Sequence, residues 1–333
     1  MKKTRIAING FGRIGRTIFR LLLDHPHIEV VAVNDLADAR TLSHLLKYDS
    51  IHGVLPVEVD YEDSALMVDG KSIPVRSERH IGDIRWEPFS VDIVVEATGK
   101  YKTKAHLQEH LKHGAGKVIL SVPPEDSSIK MVVLGVNEHV LATRDRIISN
   151  ASCTTNNAAP MIKIIDRLCG IEQAYITTIH SYTTDQSLHD QPHRDLRRAR
   201  AAGLSIIPTT TGAAKALTKI FPELSDVIGG CGIRVPVPNG SLTDITFNVQ
   251  REMTIEEVNN AFKRAAAEDL KGILAYTEAP IVSVDIVNNP YSCVFDAQMT
   301  SVIGKMVKII GWYDNEYGYS SRIIDMIHLL QKL

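Results

Sequence analysis

The sequence predicts an α/β protein of two domains, the first built on a parallel, doubly wound sheet. Three observations lead there. The chain has 333 residues, more than one hydrophobic core comfortably holds. Short β-branched runs alternate with helical apolar recurrences through the first half. A turn rich in glycine joins the first such run to the first helical stretch.

Residues 5–8 form the first strand run, and residues 13–23 follow with apolar Ile14, Ile18, Leu21 and Leu22 at helical spacing. Between them lies Gly10-Phe11-Gly12-Arg13-Ile14-Gly15, a G-x-G-x-x-G turn between strand and helix. Glycines there permit a tight bend, close approach of backbone N–H groups to a pyrophosphate, and close helix–strand packing. The next strand, residues 28–33, ends at Asn34-Asp35, and Asp35 stands 20 residues beyond Gly15. A carboxylate at that spacing accepts from an adenine ribose 2′-hydroxyl and repels a 2′-phosphate, which favours NAD over NADP.

Further strands are expected at residues 91–96, 117–121, 131–136 and 146–149, with a helix at 104–112 stopped by Gly114-Ala115-Gly116. The loops at Thr98-Gly99 and Ser121 then face the cofactor, because ligands sit beyond the carboxyl ends of such strands. No repeat or low-complexity linker divides the chain. The boundary falls near Asn150, giving a dinucleotide-binding domain over 1–150 and a second domain over 151–314.

The second domain opens on Ser152-Cys153-Thr154-Thr155-Asn156, before a helix expected at residues 158–168. Two readings fit Cys153. It is a small buried filler, or it is a nucleophile whose thiolate is favoured by the helix dipole and whose flanking N–H groups stabilise an oxyanion. His180 ends a strand run at 174–179; it is either structural or the base that takes the thiol proton and later a hydroxyl proton. Arg194, Arg197, Arg198 and Arg200 share one polar loop, Thr209-Thr210-Thr211-Gly212 precedes a helix at 213–220, and Arg234 stands in Ile233-Arg234-Val235-Pro236. Hydroxyls, helix-start N–H groups and guanidinium forks suit small phosphates, while the arginine run also suits a solvated face or a subunit contact.

Composition narrows the class. The chain is 44% hydrophobic and 23% charged, with 37 Lys plus Arg against 39 Asp plus Glu, so it has no bulk attraction for nucleic acid or an anionic membrane. The apolar run after Met1-Lys2-Lys3-Thr4-Arg5 is too short for a signal peptide or a membrane span, and a cytoplasmic protein is expected. Four cysteines, at 153, 169, 231 and 293, show neither zinc-site spacing nor a disulfide framework, so they read as reduced thiols with no metal site.

Taken together, the segments 8–16, 149–156, 211–216 and 312–316 resemble the phosphorylating glyceraldehyde-3-phosphate dehydrogenase family along the whole chain. The resemblance implies a Rossmann-type NAD-binding domain, an α+β catalytic domain, and a C-terminal helix, residues 318–330, through which 315–333 completes the first domain. It implies that Cys153 attacks the aldehyde, that His180 assists proton removal as hydride passes to NAD, and that inorganic phosphate releases 1,3-bisphosphoglycerate from a thioester. By position, Thr183 and Arg234 match the site of the substrate's own phosphate. Ser152, Thr154, Thr211 and Gly212 match groups near the attacking phosphate, and Arg198 a further phosphate contact. Gly10, Gly12, Arg13, Ile14, Asp35, Arg79, Ser121 and Asn315 match cofactor contacts, with Asn315 expected on the nicotinamide carboxamide.

A homotetramer is implied as well, with the loop 184–208 reaching a neighbouring subunit. The chain departs from the family's common pattern at Asn157, where a second cysteine is usual, and at Gln191, where leucine is frequent among NAD users. The competing readings are a relative acting on erythrose 4-phosphate, and a non-enzymatic redox-sensing or RNA-binding role for the same fold.

Overall fold

A computed structural model describes residues 3–333; Met1 and Lys2, the start of the N-terminal run read above, lie outside the described residues. The chain divides into two compact units. The first holds residues up to Val132, His139–Ala151 and Ser320–Leu333; the second holds Val133–Glu138 and Ser152–Tyr319.

The first unit is the doubly wound half. Its elements are β1 (Thr4–Asn9), α1 (Arg13–Leu22), β2 (Ile28–Asn34), α2 (Ala39–Lys47), a small hairpin β3 (Tyr48–Asp49) and β4 (Gly53–Val54), β5 (Val59–Glu62), β6 (Ala65–Val68), β7 (Lys71–Arg76), β8 (Ile93–Glu96), α3 (Lys104–Lys112), β9 (Lys117–Leu120), β10 (Lys130–Met131) and β11 (Ile147–Ser149). Nine strands line up as β10-β11-β9-β8-β1-β2-β7-β6-β5. From β10 to β7 every pair is parallel, while β5 and β6 extend the sheet antiparallel. The central strands are buried on both faces, which is why β8 reads Ile-Val-Val-Glu without alternation. β2 and β8 lie on opposite sides of β1, so the chain reverses its winding there and the crevice beyond the carboxyl ends opens at the Gly10 turn.

The second unit begins with α4 (Cys153–Cys169) and β12 (Ile171–Ser181), then β13 (Ile207–Thr209), α5 (Ala213–Ile220), β14 (Ile228–Val235), β15 (Ser241–Val249), α6 (Ile255–Ala267), β16 (Leu274–Thr277), β17 (Cys293–Asp296), β18 (Ser301–Ile303), β19 (Met306–Tyr313) and α7 (Tyr317–Lys332). Its sheet runs β13-β14-β12-β15-β19-β17-β16, with β18 beside β19, and mixes parallel with antiparallel pairs. β12 alternates as a half-buried strand should: Ala174, Ile176, Thr178 and His180 are buried, while Tyr175 is exposed. From Ser320 onward α7 belongs to the first unit, where Ile323, Ile324, Met326, Ile327 and Leu330 are buried.

Three sequence expectations are corrected, and one feature is added. The helix after the cysteine segment starts at Cys153 rather than at residue 158, because Ser152 caps it: its hydroxyl accepts from Thr155 N at 3.1 Å. The strand expected at 131–136 stops at Met131; Val136 N and Asn137 N both turn back to the Val133 carbonyl, and Gly135 takes φ +78°. β12 runs through His180 to Ser181, so the histidine lies within the strand. The antiparallel strands over 59–76 have no counterpart among the sequence expectations. Among the described residues no helix is long and apolar enough to cross a membrane.

Candidate active site

In the first unit the three glycines of the turn have three different physical reasons. Gly10 adopts φ +91°, and a Cβ there would lie 2.7 Å from Thr98 N. At Gly15 a Cβ would lie 2.2 Å from the Gly10 carbonyl oxygen, so this glycine sets how closely α1 packs on the turn. A Cβ at Gly12 would meet nothing within 4 Å, so that glycine faces open space, at the N-cap of α1, with no side chain capping the helix start. A bend, a close packing and an open approach to helix amides are the features a bound pyrophosphate requires, and the turn fits NAD on those grounds.

Asp35 anchors this cradle. Its Oδ2 accepts from Phe11 N at 2.7 Å and its Oδ1 from Ala37 N at 3.0 Å, tying the glycine turn to the loop after β2. Arg13 grips Asp49 with two guanidinium nitrogens, at 2.8 and 3.1 Å. Burial pushes the Asp49 carboxyl up, but that fork and the His52 and Ile51 N–H groups outweigh it and hold the carboxyl well below the usual range. Ile14 is half-buried on α1, Arg79 is exposed with its carbonyl accepting from Tyr101 Oη at 2.9 Å, and Ser121 is buried at the end of β9, its N–H on the Glu96 carbonyl at 3.0 Å.

In the second unit the thiol site is assembled by strand register. Cys153 opens α4, and the preceding Ala151 takes the left-handed φ of +54°, a strain on the order of 1–3 kcal/mol that recurs at functional turns. Cys153 Sγ lies 3.4 Å from His180 Nε2. The parallel pairing of β12 with β14 sets His180 opposite Arg234, and Arg234 Nη1 lies 2.8 Å from His180 Nδ1 while donating to the Ser181 carbonyl at 2.8 Å. That carbonyl is also 2.7 Å from Nδ1. With its proton on Nδ1 the imidazole donates to Ser181 and turns its Nε2 lone pair toward the thiol.

The antiparallel pairing of β15 with β19 sets Ser241 opposite Tyr313. Tyr313 Oη is hydrogen-bonded to Thr154 Oγ1 at 2.9 Å, and its ring stands edge-on to His180 with centroids 5.9 Å apart. Asn315 Oδ1 accepts from Ser181 Oγ at 2.7 Å and Ser241 Oγ at 3.0 Å.

Arg198 is fixed by Thr209 Oγ1 at 2.9 Å, Asp185 at 2.6 Å and the Thr210 carbonyl at 3.2 Å. Thr211 Oγ1 accepts from Ala213 N at 3.2 Å, and Gly212 brings no side-chain cap to α5. Thr183 stands two residues beyond β12; neither it nor Thr211 is hydrogen-bonded to the thiol–imidazole pair.

The electrostatics set burial against the pull of the helix start. Although part of Cys153 stays open to solvent, the dense protein around it pushes its thiol up; Arg234 and the Thr154 N–H and hydroxyl pull it down without prevailing. The helix start therefore does not by itself yield a resting thiolate. His180 is pushed down to about 3 by burial, by Arg234 and by Arg198, against its bond to Ser181. Burial thus disfavours charge on both members of the pair, which sits in a field of two guanidinium groups. Ser181, Ser241 and Tyr313 were missed as site members from the sequence: Tyr313 lay in a recognised segment without a role, and only strand register identifies the two serines.

The profile described as glyceraldehyde 3-phosphate dehydrogenase, NAD binding domain, matches residues 4–104, and the one described as the C-terminal domain of the same family matches residues 152–315. The chain is 54% identical over 325 residues to "Glyceraldehyde-3-phosphate dehydrogenase 2" of Streptomyces avermitilis, covering 97% of both chains. It is 52% identical over 324 residues to the glyceraldehyde-3-phosphate dehydrogenase of Geobacillus stearothermophilus, covering 97% of this chain and 96% of that one. With that of Thermotoga maritima it shares 50% identity over 332 residues, 99% of each.

Proposed function

The chain belongs to the glyceraldehyde-3-phosphate dehydrogenase family, and on that premise we propose that it oxidises D-glyceraldehyde 3-phosphate with NAD and inorganic phosphate to 1,3-bisphosphoglycerate, through a thioester on Cys153. The observation that carries the reading is the 3.4 Å contact of Cys153 Sγ with His180 Nε2, with Arg234 on the far side of the ring.

His180 Nε2 takes the thiol proton as sulfur attacks the aldehyde carbon, and returns it to the aldehyde oxygen. Neutral again, the ring takes that hydroxyl proton as hydride leaves the same carbon. Bound NAD supplies the acceptor for that hydride. Inorganic phosphate then adds to the thioester and gives up its own proton to solvent, and the departing thiolate recovers a proton from His180. The amide groups at the start of α4 hold the negative oxygen in both additions.

Arg234 and Thr183 hold the substrate's own phosphate; Ser152, Thr154, Thr211, Gly212 and Arg198 hold the attacking one. These anions neutralise the two guanidinium groups that depress His180 in the free protein, so substrate arrival raises the ring's basicity when a proton must be taken.

The cofactor is held by the turn from Gly10 to Ile14, by Asp35, by Arg79 and Ser121, and by Asn315 on the carboxamide. Because the Arg13 side chain is engaged by Asp49, its contribution comes from the backbone. The same family membership supports a cytoplasmic homotetramer.

The test is NADH formation from glyceraldehyde 3-phosphate, first with phosphate and then without it. The expected outcome is steady turnover with phosphate and a burst of one equivalent per Cys153 without it. A phosphate-independent steady rate that yields free acid would overturn the acyl-phosphate mechanism. A faster rate on erythrose 4-phosphate would move the assignment to a relative with the same nucleophile.

A further inference from the structure

A hydrogen-bonded brace runs beneath the glycine turn, centred on Glu96 and His110, to which no role has yet been given. Glu96 ends β8 with a wholly buried side chain. One carboxylate oxygen accepts from Asn9 Nδ2 at 2.5 Å and from His110 Nε2 at 3.1 Å; the other accepts from Thr98 N at 2.9 Å and from the Thr98 hydroxyl. His110, equally buried on α3, lies with Nδ1 3.0 Å from Trp86 Nε1. An indole nitrogen only donates, so Nδ1 is the acceptor and the ring proton sits on Nε2, facing Glu96. Asn9 Oδ1 accepts in turn from Asn34 Nδ2 at 2.8 Å. The Asn34 amide spans the Glu78 backbone, donating to its carbonyl at 3.0 Å and accepting from its N–H at 2.9 Å.

The brace ends on the segments that frame the turn. Thr98 N is the atom a Cβ at Gly10 would strike, Gly10 N donates to the Asn34 carbonyl at 2.8 Å, and Ala97 N donates to the Asn9 carbonyl at 2.7 Å. Glu96 therefore sets where Thr98 stands against Gly10, and His110 sets how Glu96 is turned. Buried polar networks of this kind are costly when any member is left unpaired, so each bond constrains the next.

We propose that His110 and Glu96 are positioning residues for cofactor binding: Trp86 fixes the His110 tautomer, His110 orients Glu96, and Glu96 holds Asn9 and Thr98 at the spacing the cofactor's pyrophosphate requires. The inference rests on the reading of the glycine turn as the NAD cradle.

The test is steady-state kinetics and NAD titration of the full-length protein carrying His110→Phe, Glu96→Gln or Trp86→Phe, with Asp35→Ala as a control on the cradle itself. His110→Phe keeps a ring and removes both bonds. Glu96→Gln keeps the size but sets an NH2 against either Thr98 N–H or the Asn9 and His110 donors, whichever way the amide turns. We expect His110→Phe and Glu96→Gln to raise KM and Kd for NAD about tenfold and Trp86→Phe about threefold, with kcat at saturating NAD and KM for the aldehyde within about twofold.

A role in core packing alone lowers the melting temperature and the folded yield but leaves the NAD KM of the folded molecules unchanged. Variants with lower melting temperatures and an NAD KM within about twofold of wild type would overturn the proposal. If His110→Phe does not fold, the other two variants decide by the same threshold. An unchanged NAD KM in Asp35→Ala rejects the cradle and the brace together; a raised one, with the three brace variants unchanged, rejects the brace alone.

Discussion

The cofactor cradle and the thiol site are built from opposite materials. The cradle is made of glycine backbone, amides and carboxyl groups: Asp35 reaches back only 24 positions to Phe11, and the fit depends on what side chains do not occupy. The thiol site is made of cations and hydroxyls from distant segments. Cys153 and His180 are 27 positions apart, His180 and Arg234 54, Thr154 and Tyr313 159. The first binds an anion with dipoles, so it needs close backbone approach. On the proposed mechanism the second performs proton transfer beside bound phosphates, so it needs titratable groups in a fixed charged field.

Experiments that damage one region and read the other sharpen this division. The largest effect belongs to Cys153→Ser, expected to lower kcat on the order of 10⁴-fold or more while NAD titrates as in the wild type. Loss of NAD binding in that variant would break the separation. His180→Asn follows, with kcat lower by about 10²–10⁴-fold.

That variant also carries a pH signature. The folded His180 is pushed down to about 3 from an ordinary value of 6.5, so between those limits the unfolded chain binds the extra proton. Stability therefore falls as pH drops through this window, by on the order of 2 kcal/mol at pH 5, and no such penalty exists above pH 6.5. His180→Asn should flatten this part of the denaturation-midpoint profile; an unchanged acid slope would show that the ring is not held neutral.

Arg234→Gln is expected to lower kcat/KM for the phosphorylated aldehyde about 10- to 100-fold, since a charged hydrogen bond contributes roughly 1.5–3 kcal/mol. It should also slow alkylation of Cys153 at a fixed neutral pH, because Arg234 lowers the thiol. Faster alkylation would refute that sign. On the cradle side, Asp35→Ala should raise KM for NAD about tenfold and narrow the preference over NADP. Gln191→Leu is the smallest change. Gln191 is exposed and bonded to Ser187 Oγ, and an added apolar contact there should shift the NAD to NADP ratio by no more than about threefold.

The same contrast explains what the sequence revealed. Gly10, Gly12, Gly15 and Asp35 form a spacing, and a spacing is visible in one dimension; the positive φ at Gly10 and the close packing at Gly15 are the physical content of that pattern. Cys153 beside His180 was an open choice from residues alone, since a strand histidine and a helix-start cysteine each have structural readings. The pairing of β12 with β14 places Arg234 beside His180, and no local pattern encodes that register.

The balance of forces on the thiol was hidden from the sequence for a related reason. The dipole of α4 is legible from the sequence, but the burial that opposes it exists only in the folded chain. Asn157, where the family commonly has cysteine, has a structural account: its buried Nδ2 donates to the Ser292 and Trp312 carbonyls at 3.3 and 3.2 Å, tying α4 to the strand that carries Tyr313.

The central claim, a thioester on Cys153 that phosphate removes, is open to direct observation. The protein is mixed with NAD and glyceraldehyde 3-phosphate without inorganic phosphate, quenched in acid, and its intact mass and peptide map are recorded before and after phosphate is added. The account predicts one phosphoglyceroyl group on the peptide containing Cys153, lost on phosphate addition with release of acyl phosphate. NADH formed with no adduct on that peptide, or an adduct that phosphate does not discharge, would contradict it.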